Sequence, residues 1–174
     1  MVDLSTKKRN KRLFFLALIF GGLAVFVLGG LGLRAKTAQP LAFSHKKHTA
    51  QGLTCETCHV HFKTQTFSGM PRLETCLECH KDPLTKSLEE EKIRDYQKRN
   101  QEIPWKRLYV QPDHVFFSHR RHVVLGKLGC ETCHGPIGDS QEPPATPWVK
   151  MTMKWCMDCH AKQRVTNDCL ACHV

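Results

Sequence analysis

All ten cysteines of this 174-residue chain fall in C-x-x-C pairs, and every pair is followed directly by a histidine. The pairs are Cys55 and Cys58, Cys76 and Cys79, Cys130 and Cys133, Cys156 and Cys159, and Cys169 and Cys172. The histidines that follow them are His59, His80, His134, His160 and His173. No cysteine remains for a disulfide or a nucleophilic thiol. Two C-x-x-C pairs at suitable spacing can build a structural zinc site, and one pair can be a redox dithiol. Neither explains a histidine after every pair, and an odd number of pairs leaves one unmatched in a zinc scheme.

C-x-x-C-H is the attachment signature of c-type haem, with two thioethers to the porphyrin and the histidine as near-side iron ligand. Five covalently bound haem c groups are therefore expected, one per motif. A chain this short buries too little of its own apolar surface to be comfortably stable. The porphyrin faces would supply the missing core, so folding is expected to depend on the cofactors. The fold class that follows is a multihaem cytochrome c, mostly irregular, with short α-helices packed around the haems.

Six histidines lie outside the motifs: His45, His48, His61, His114, His119 and His122. Five far-side iron positions need filling, so the numbers nearly match. Imidazole on both faces closes an iron to substrate and suits electron transfer. Four of the six recur in matched stretches, FSHKKHTAQGLTCETCH from Phe43 to His59 and FSHRRHVVLGKLGCETCH from Phe117 to His134. His45, His48, His119 and His122 are the primary far-side candidates. At least one of His61 and His114 should also be needed, and spacing leaves both open. Met70, Met151, Met153 and Met157 could ligate and raise a potential, but packing against porphyrin is their expected role.

The duplication organises the chain into two related halves. A dihaem module spans residues 43–81 and a trihaem module spans 117–174, where MTMKWCMDCH repeats the order of the earlier MPRLETCLECH. Between them, residues 82–116 form a connecting helix and an extended segment. The helix opens either at Asp82-Pro83 or at a capping box, Ser87-Leu88-Glu89-Glu90. With few apolar residues, it is expected to be solvated. Trp105 and Tyr109, in the extended segment, are expected to cover a small core.

The N-terminus carries a separate signal. Residues 1–12 form a basic, cytoplasmic stretch, and Leu13–Leu33 is uncharged over 21 residues. As a helix it would span about 31 Å, enough for a hydrocarbon core of roughly 30 Å. It exceeds a usual signal-peptide core and no small-x-small site follows in RAKTAQP, so a retained transmembrane helix is expected. Basic residues before it place the N-terminus in the cytoplasm and the haem domain on the periplasmic side of the inner membrane. Residues 34–42 read as a linker. Of the formal charge of +10, residues 1–36 supply +6 (seven Lys/Arg, one Asp) and the rest +4 (nineteen against fifteen). Haem propionates would largely offset the remainder, so the basic balance is no evidence for nucleic acid.

F-x-H-x-x-H upstream of C-x-x-C-H resembles the class III multihaem cytochromes. The resemblance implies that His45 serves the haem at Cys55 and His119 that at Cys130, while His48 and His122 reach later haems. The whole layout, including the W-x6-P-D-x-V-x-F-x-H-x-x-H segment from Trp105 to His122, resembles the membrane-anchored multihaem subunit of alternative complex III and related quinone-oxidoreductase assemblies. Tyr109 stands where histidine is expected in that subunit. The resemblance implies an electron-transfer subunit, without catalytic residues of its own. Its partners would be a quinone-reactive integral membrane subunit or an iron–sulfur subunit, and a periplasmic redox partner.

Two other functions fit parts of the pattern. A membrane-anchored quinol dehydrogenase of the NapC/NrfH type shares the size and single anchor, but usually has C-x-x-C-H-x-M at its first haem. Here Val60 and His61 follow His59. A multihaem reductase needs an open iron, often beside a departure such as C-x-x-C-K, and the chain has none.

Overall fold

Short helices form where the haem motifs lie, because the two cysteines and the histidine of C-x-x-C-H span about one helical turn. A computed structural model of the chain describes residues 13–14, 16–21 and 36–173. From residue 36 onward its helices are α1 (His45–Thr49), α2 (Cys55–Cys58), α3 (Leu73–His80), α4 (Leu88–Lys98), α5 (Glu131–His134), α6 (Met153–Gln163) and α7 (Cys169–Cys172). A π-helical turn covers Arg120–Leu125 and a 3-10 turn covers Ile137–Asp139. The β pairing among the described residues is an isolated antiparallel bridge, Val115 to His173.

Caps explain most helix starts. Side-chain oxygens of Ser44, Thr152 and Asp168 accept backbone N–H groups in the first turns of α1, α6 and α7. At α3 the preceding residue is Arg72, which offers no acceptor. Glu102, from a distant segment, accepts the N–H of Leu73 at 2.9 Å instead. Its charge also suits the positive end of the helix.

The hydrophobic core is small. Among the described residues it consists of Leu41, Leu73, Ile93 and Ile103, with Cys76, Leu77, Tyr96 and Trp105 packed against it. It lies between α3 and α4, so the connecting helix is a core element, not a solvated one. Ile93 and Tyr96 sit three apart on one face, and that narrow stripe is enough to cover the single turn around Leu73 and Leu77. The preceding segment joins the same body. Leu41 is buried, and Gln39 makes a two-way amide pair with Lys106, at 2.8 and 3.0 Å. Trp105 donates its indole N–H to the carbonyl of Pro71 at 3.0 Å.

The capping box at Ser87 is half formed. The Ser87 hydroxyl accepts from Glu89 N at 3.3 Å, but Glu90 turns away towards Leu84 and Thr85. Of the uncharged stretch 13–33, residues 13–14 and 16–21 are helical, and the rest lies outside the described residues. Among the described residues, no helix is long and apolar enough to cross a membrane.

Candidate haem-binding sites

The two F-S-H-x-x-H stretches fold alike. In the first, the Phe43 ring stacks on His48 at 4.3 Å and 25° and meets His45 edge-on at 4.9 Å and 88°. In the second, Phe117 stacks on His122 at 4.6 Å and 25° and meets His119 at 5.0 Å and 86°. The buried serines between them, Ser44 and Ser118, present their carbonyls to Nδ1 of His48 and His122, each at 2.8 Å. A carbonyl at Nδ1 fixes the proton there and leaves Nε2 as a free lone pair for metal. The serine hydroxyls accept the N–H groups of Lys47 and Arg121 and tighten the same turn.

Each second histidine then meets a motif histidine far along the chain. The His48 and His80 rings lie 6.2 Å apart, and the His122 and His160 rings 6.1 Å apart. Two imidazoles sharing one metal, with bonds of about 2 Å each and ring centres roughly 1 Å behind the nitrogens, sit about 6 Å centre to centre. The spacing therefore fits an iron between them. His114 faces His173 at 5.6 Å and 15°, held by the bridge from Val115 and by Phe116 N donating to Cys172 O at 2.8 Å. His45 is pushed down to about 4 by burial and then by the nearness of His59 and His48. His134 is lowered by burial and then by His119. Three pairs of motif and non-motif histidines thus come together.

His61 is not among them. Among the described residues, its ring contacts are Phe67 at 5.3 Å and Gln65 at 3.2 Å, with Gly69 beneath it. A Cβ on Gly69 would stand 2.7 Å from the His61 ring, and its φ of +80° favours glycine. That glycine carries the carbonyl that bonds His59 Nδ1 at 2.7 Å. His61 therefore packs behind the first site.

The residues that hold the other histidines were not singled out from sequence. Thr166 O bonds His160 Nδ1 at 2.7 Å, and Thr66 O bonds His119 Nδ1 at 3.1 Å. Ser140 Oγ lies 3.1 Å from His45 Nδ1. Behind His80 stands a buried carboxylate, Glu90, 3.5 Å from Nδ1 and out of line for a well-formed hydrogen bond. Glu90 is held by the Thr85 hydroxyl, the N–H groups of Leu84 and Thr85, and Arg94. These bonds, the Thr85 hydroxyl first, keep its pKa at about 2. Tyr109 meets the His134 ring edge-on at 4.8 Å, and its hydroxyl donates to Cys133 O at 3.1 Å. The serines had a signal, since F-S-H occurs twice. Thr66, Thr166 and Glu90 had none, because tertiary contact alone brings them to their histidines.

The cysteines are all free, and none is fully buried. The motif makes Cys76 and Cys79 equal anchors of the second haem, but the structure sets them in different surroundings. Cys76 packs against the hydrophobic core, whereas Cys79 is exposed and stands apart from it. The reason is helical phase: six residues along α3 carry Cys79 roughly 120° around the axis from Leu73, off the face that meets the core. Cys79 therefore lies off the face that packs on the core, and its thiol is open to a porphyrin. Cys55 and Cys169 are likewise exposed, and the remaining cysteines are partly covered. Around the motifs large apolar groups are uncovered, with Leu170 at 86%, Trp148 at 65% and Met153 at 63% exposure. Free thiols, paired imidazoles with Nε2 available and open apolar flanks together fit covalent porphyrins against these faces.

Such sites define a multihaem c-type cytochrome. The family of cytochrome c7 and related cytochrome c matches the chain over residues 41–102 and again over 115–174. The chain is also 36% identical over 180 residues to the menaquinone reductase multiheme cytochrome c subunit of Nitratidesulfovibrio vulgaris (strain Hildenborough), covering 91% of this chain and 84% of that one. The protein belongs to the cytochrome c7 and related cytochrome c family.

Proposed function

We propose that the chain is a membrane-anchored pentahaem cytochrome carrying electrons between a quinone-linked membrane partner and a periplasmic redox partner. Five haems attach at Cys55 and Cys58, Cys76 and Cys79, Cys130 and Cys133, Cys156 and Cys159, and Cys169 and Cys172. The irons would be held by His59 with His45, His80 with His48, His134 with His119, His160 with His122 and His173 with His114. His61 supports the first site from behind and is no ligand.

The observation that carries this reading is the repeated ring separation, 6.2 Å for His48 and His80 and 6.1 Å for His122 and His160. Two imidazoles leave an iron no position for substrate, which favours a carrier over a reductase. The haems supply one-electron chemistry when bound, and the chain's own residues fix ligand tautomers, orient the rings and set the charge behind them. The quinone link rests on the relative, whose printed description places it in a menaquinone reductase. Exposed apolar side chains on the helical residues 13–14 and 16–20 support a membrane anchor.

Spectra of the ferric protein test the ligation. Five low-spin haems are expected, and a stoichiometric high-spin haem would remove the carrier reading. In His122→Ala the haem at Cys156 should turn high-spin while that at Cys130 stays low-spin. Loss of the Cys130 signal instead would sink the pairing. Co-purification from detergent-solubilised membranes, with the partners identified, tests the complex.

A further inference from the structure

The ligand pairs do not follow sequence order, and the contacts that hold them give an order in space. On α1, His45 and His48 are three residues apart; His48 faces His80 at 6.2 Å, and under the ligation proposed above His45 serves the Cys55 site. The Cys55 and Cys76 sites are therefore neighbours. The second half repeats the arrangement, since His122 faces His160 at 6.1 Å while His119, three residues before it, serves the Cys130 site under the same ligation, making the Cys130 and Cys156 sites neighbours.

The halves are joined by an exchange. His45, belonging to the first site, is held by Ser140, six residues beyond the Cys130 motif. Lys46 N also donates to Ser140 O at 3.0 Å, and the Thr49 hydroxyl to Gly138 O at 3.0 Å. In return His119, belonging to the third site, is held by Thr66, seven residues beyond the Cys55 motif. There both its backbone N–H and its Nδ1 meet the Thr66 carbonyl, at 2.8 and 3.1 Å. Each half thus grips the other half's first far-side histidine, which sets the Cys55 and Cys130 sites side by side.

The last junction is local. Thr166 holds His160, and Asn167 donates to Met157 O at 3.2 Å, both from the short segment leading into α7. This places the Cys169 site beside the Cys156 site.

From these contacts, and given the ligation proposed above, we infer that the five attachment sites form a single file in the order Cys76, Cys55, Cys130, Cys156, Cys169, with the seam between the two halves at its middle. The chain therefore has two redox termini, one at α3 and one at α7. Each electron taken from a donor at one terminus leaves to an acceptor at the other, with no bond made or broken. A file in sequence order would instead set the Cys76 site between those at Cys55 and Cys130.

Iron positions located in crystals of the holo-protein, by diffraction at the iron absorption edge, test the order. The shortest iron–iron distances should join Cys76 to Cys55, Cys55 to Cys130, Cys130 to Cys156 and Cys156 to Cys169, and the longest should separate Cys76 from Cys169. Five irons in which the Cys76 site is nearer to Cys130 than the Cys55 site is would overturn the order alone. Fewer than five irons would overturn the pentahaem reading and the order with it.

Discussion

Ser44, Ser118 and Glu90 are buried polar residues, and each stands behind a histidine. The serines act through their carbonyls, which any residue could supply, and through hydroxyls that tighten the turn. Glu90 differs in kind, since it sets a full negative charge behind His80 where His59 and His160 have neutral carbonyls. A carboxylate behind an axial imidazole strengthens its donation and favours ferric iron. The Glu90→Gln protein should therefore raise the potential of the Cys76 haem, on the order of tens of millivolts. A redox titration resolving the individual haems checks this, and the Cys156 haem, whose His160 faces Thr166, should keep its potential. From sequence, Glu90 reads as half of a capping box. The pattern was right about the helix start, but the carboxylate is drawn instead to the Leu84 and Thr85 N–H groups and to His80.

Between the two F-S-H-x-x-H elements, the second is longer by one residue, and the fold shows where that residue goes. Leu53 N reaches His48 O at 3.2 Å, and its counterpart Leu128 N reaches His122 O at 3.1 Å, so the same bond spans five residues in one half and six in the other. The surplus residue is absorbed as the π turn Arg120–Leu125, a common fate of an insertion within a helical turn. Deleting Val124 should restore the first-half spacing, leaving five low-spin haems and moving the thermal midpoint by no more than a few degrees. Loss of the Cys130 haem in that variant would mean that the π turn is required. Another element-level debt is settled at α3, where Glu102 replaces the missing cap. Its pKa is lowered by the Leu73 N–H and by Arg72, as that of Glu89 is lowered by Lys92 and the Ala42 N–H. Because folding lowers both, their stabilisation is complete above the ordinary carboxyl value near 4.5 and fades as pH falls below it. Thermal midpoints measured from pH 6 downward, at roughly half-unit steps, should fall less steeply in Glu102→Gln than in the parent protein. The duplication was legible in sequence. The trans-acting cap was not, because Glu102 and Leu73 are joined only by the fold.

For the molecule as a whole, a few buried hydrophobic side chains serve as the core of the residues from Lys36 onward. So small a core cannot offset the entropy of ordering the chain. Produced without haem attachment, the protein should show no cooperative thermal transition by circular dichroism, and limited proteolysis should digest it throughout. What could be read from sequence was chemical: the c-type haem motif and its repetition. The unequal surroundings of Cys76 and Cys79 could not be read, because the motif treats both alike and only the packing of α3 on α4 separates them. The meeting of His114 with His173 could not be read either, because it depends on the Val115–His173 bridge joining the C-terminal segment to the middle of the chain. The exchange of Ser140 and Thr66 between halves bears on biogenesis. The Nδ1 partner of each first histidine comes from the other half, so a half-matured polypeptide should lack the bond that orients it. A missing cofactor should then expose itself as a loosened chain open to proteases, with no dedicated sensor required.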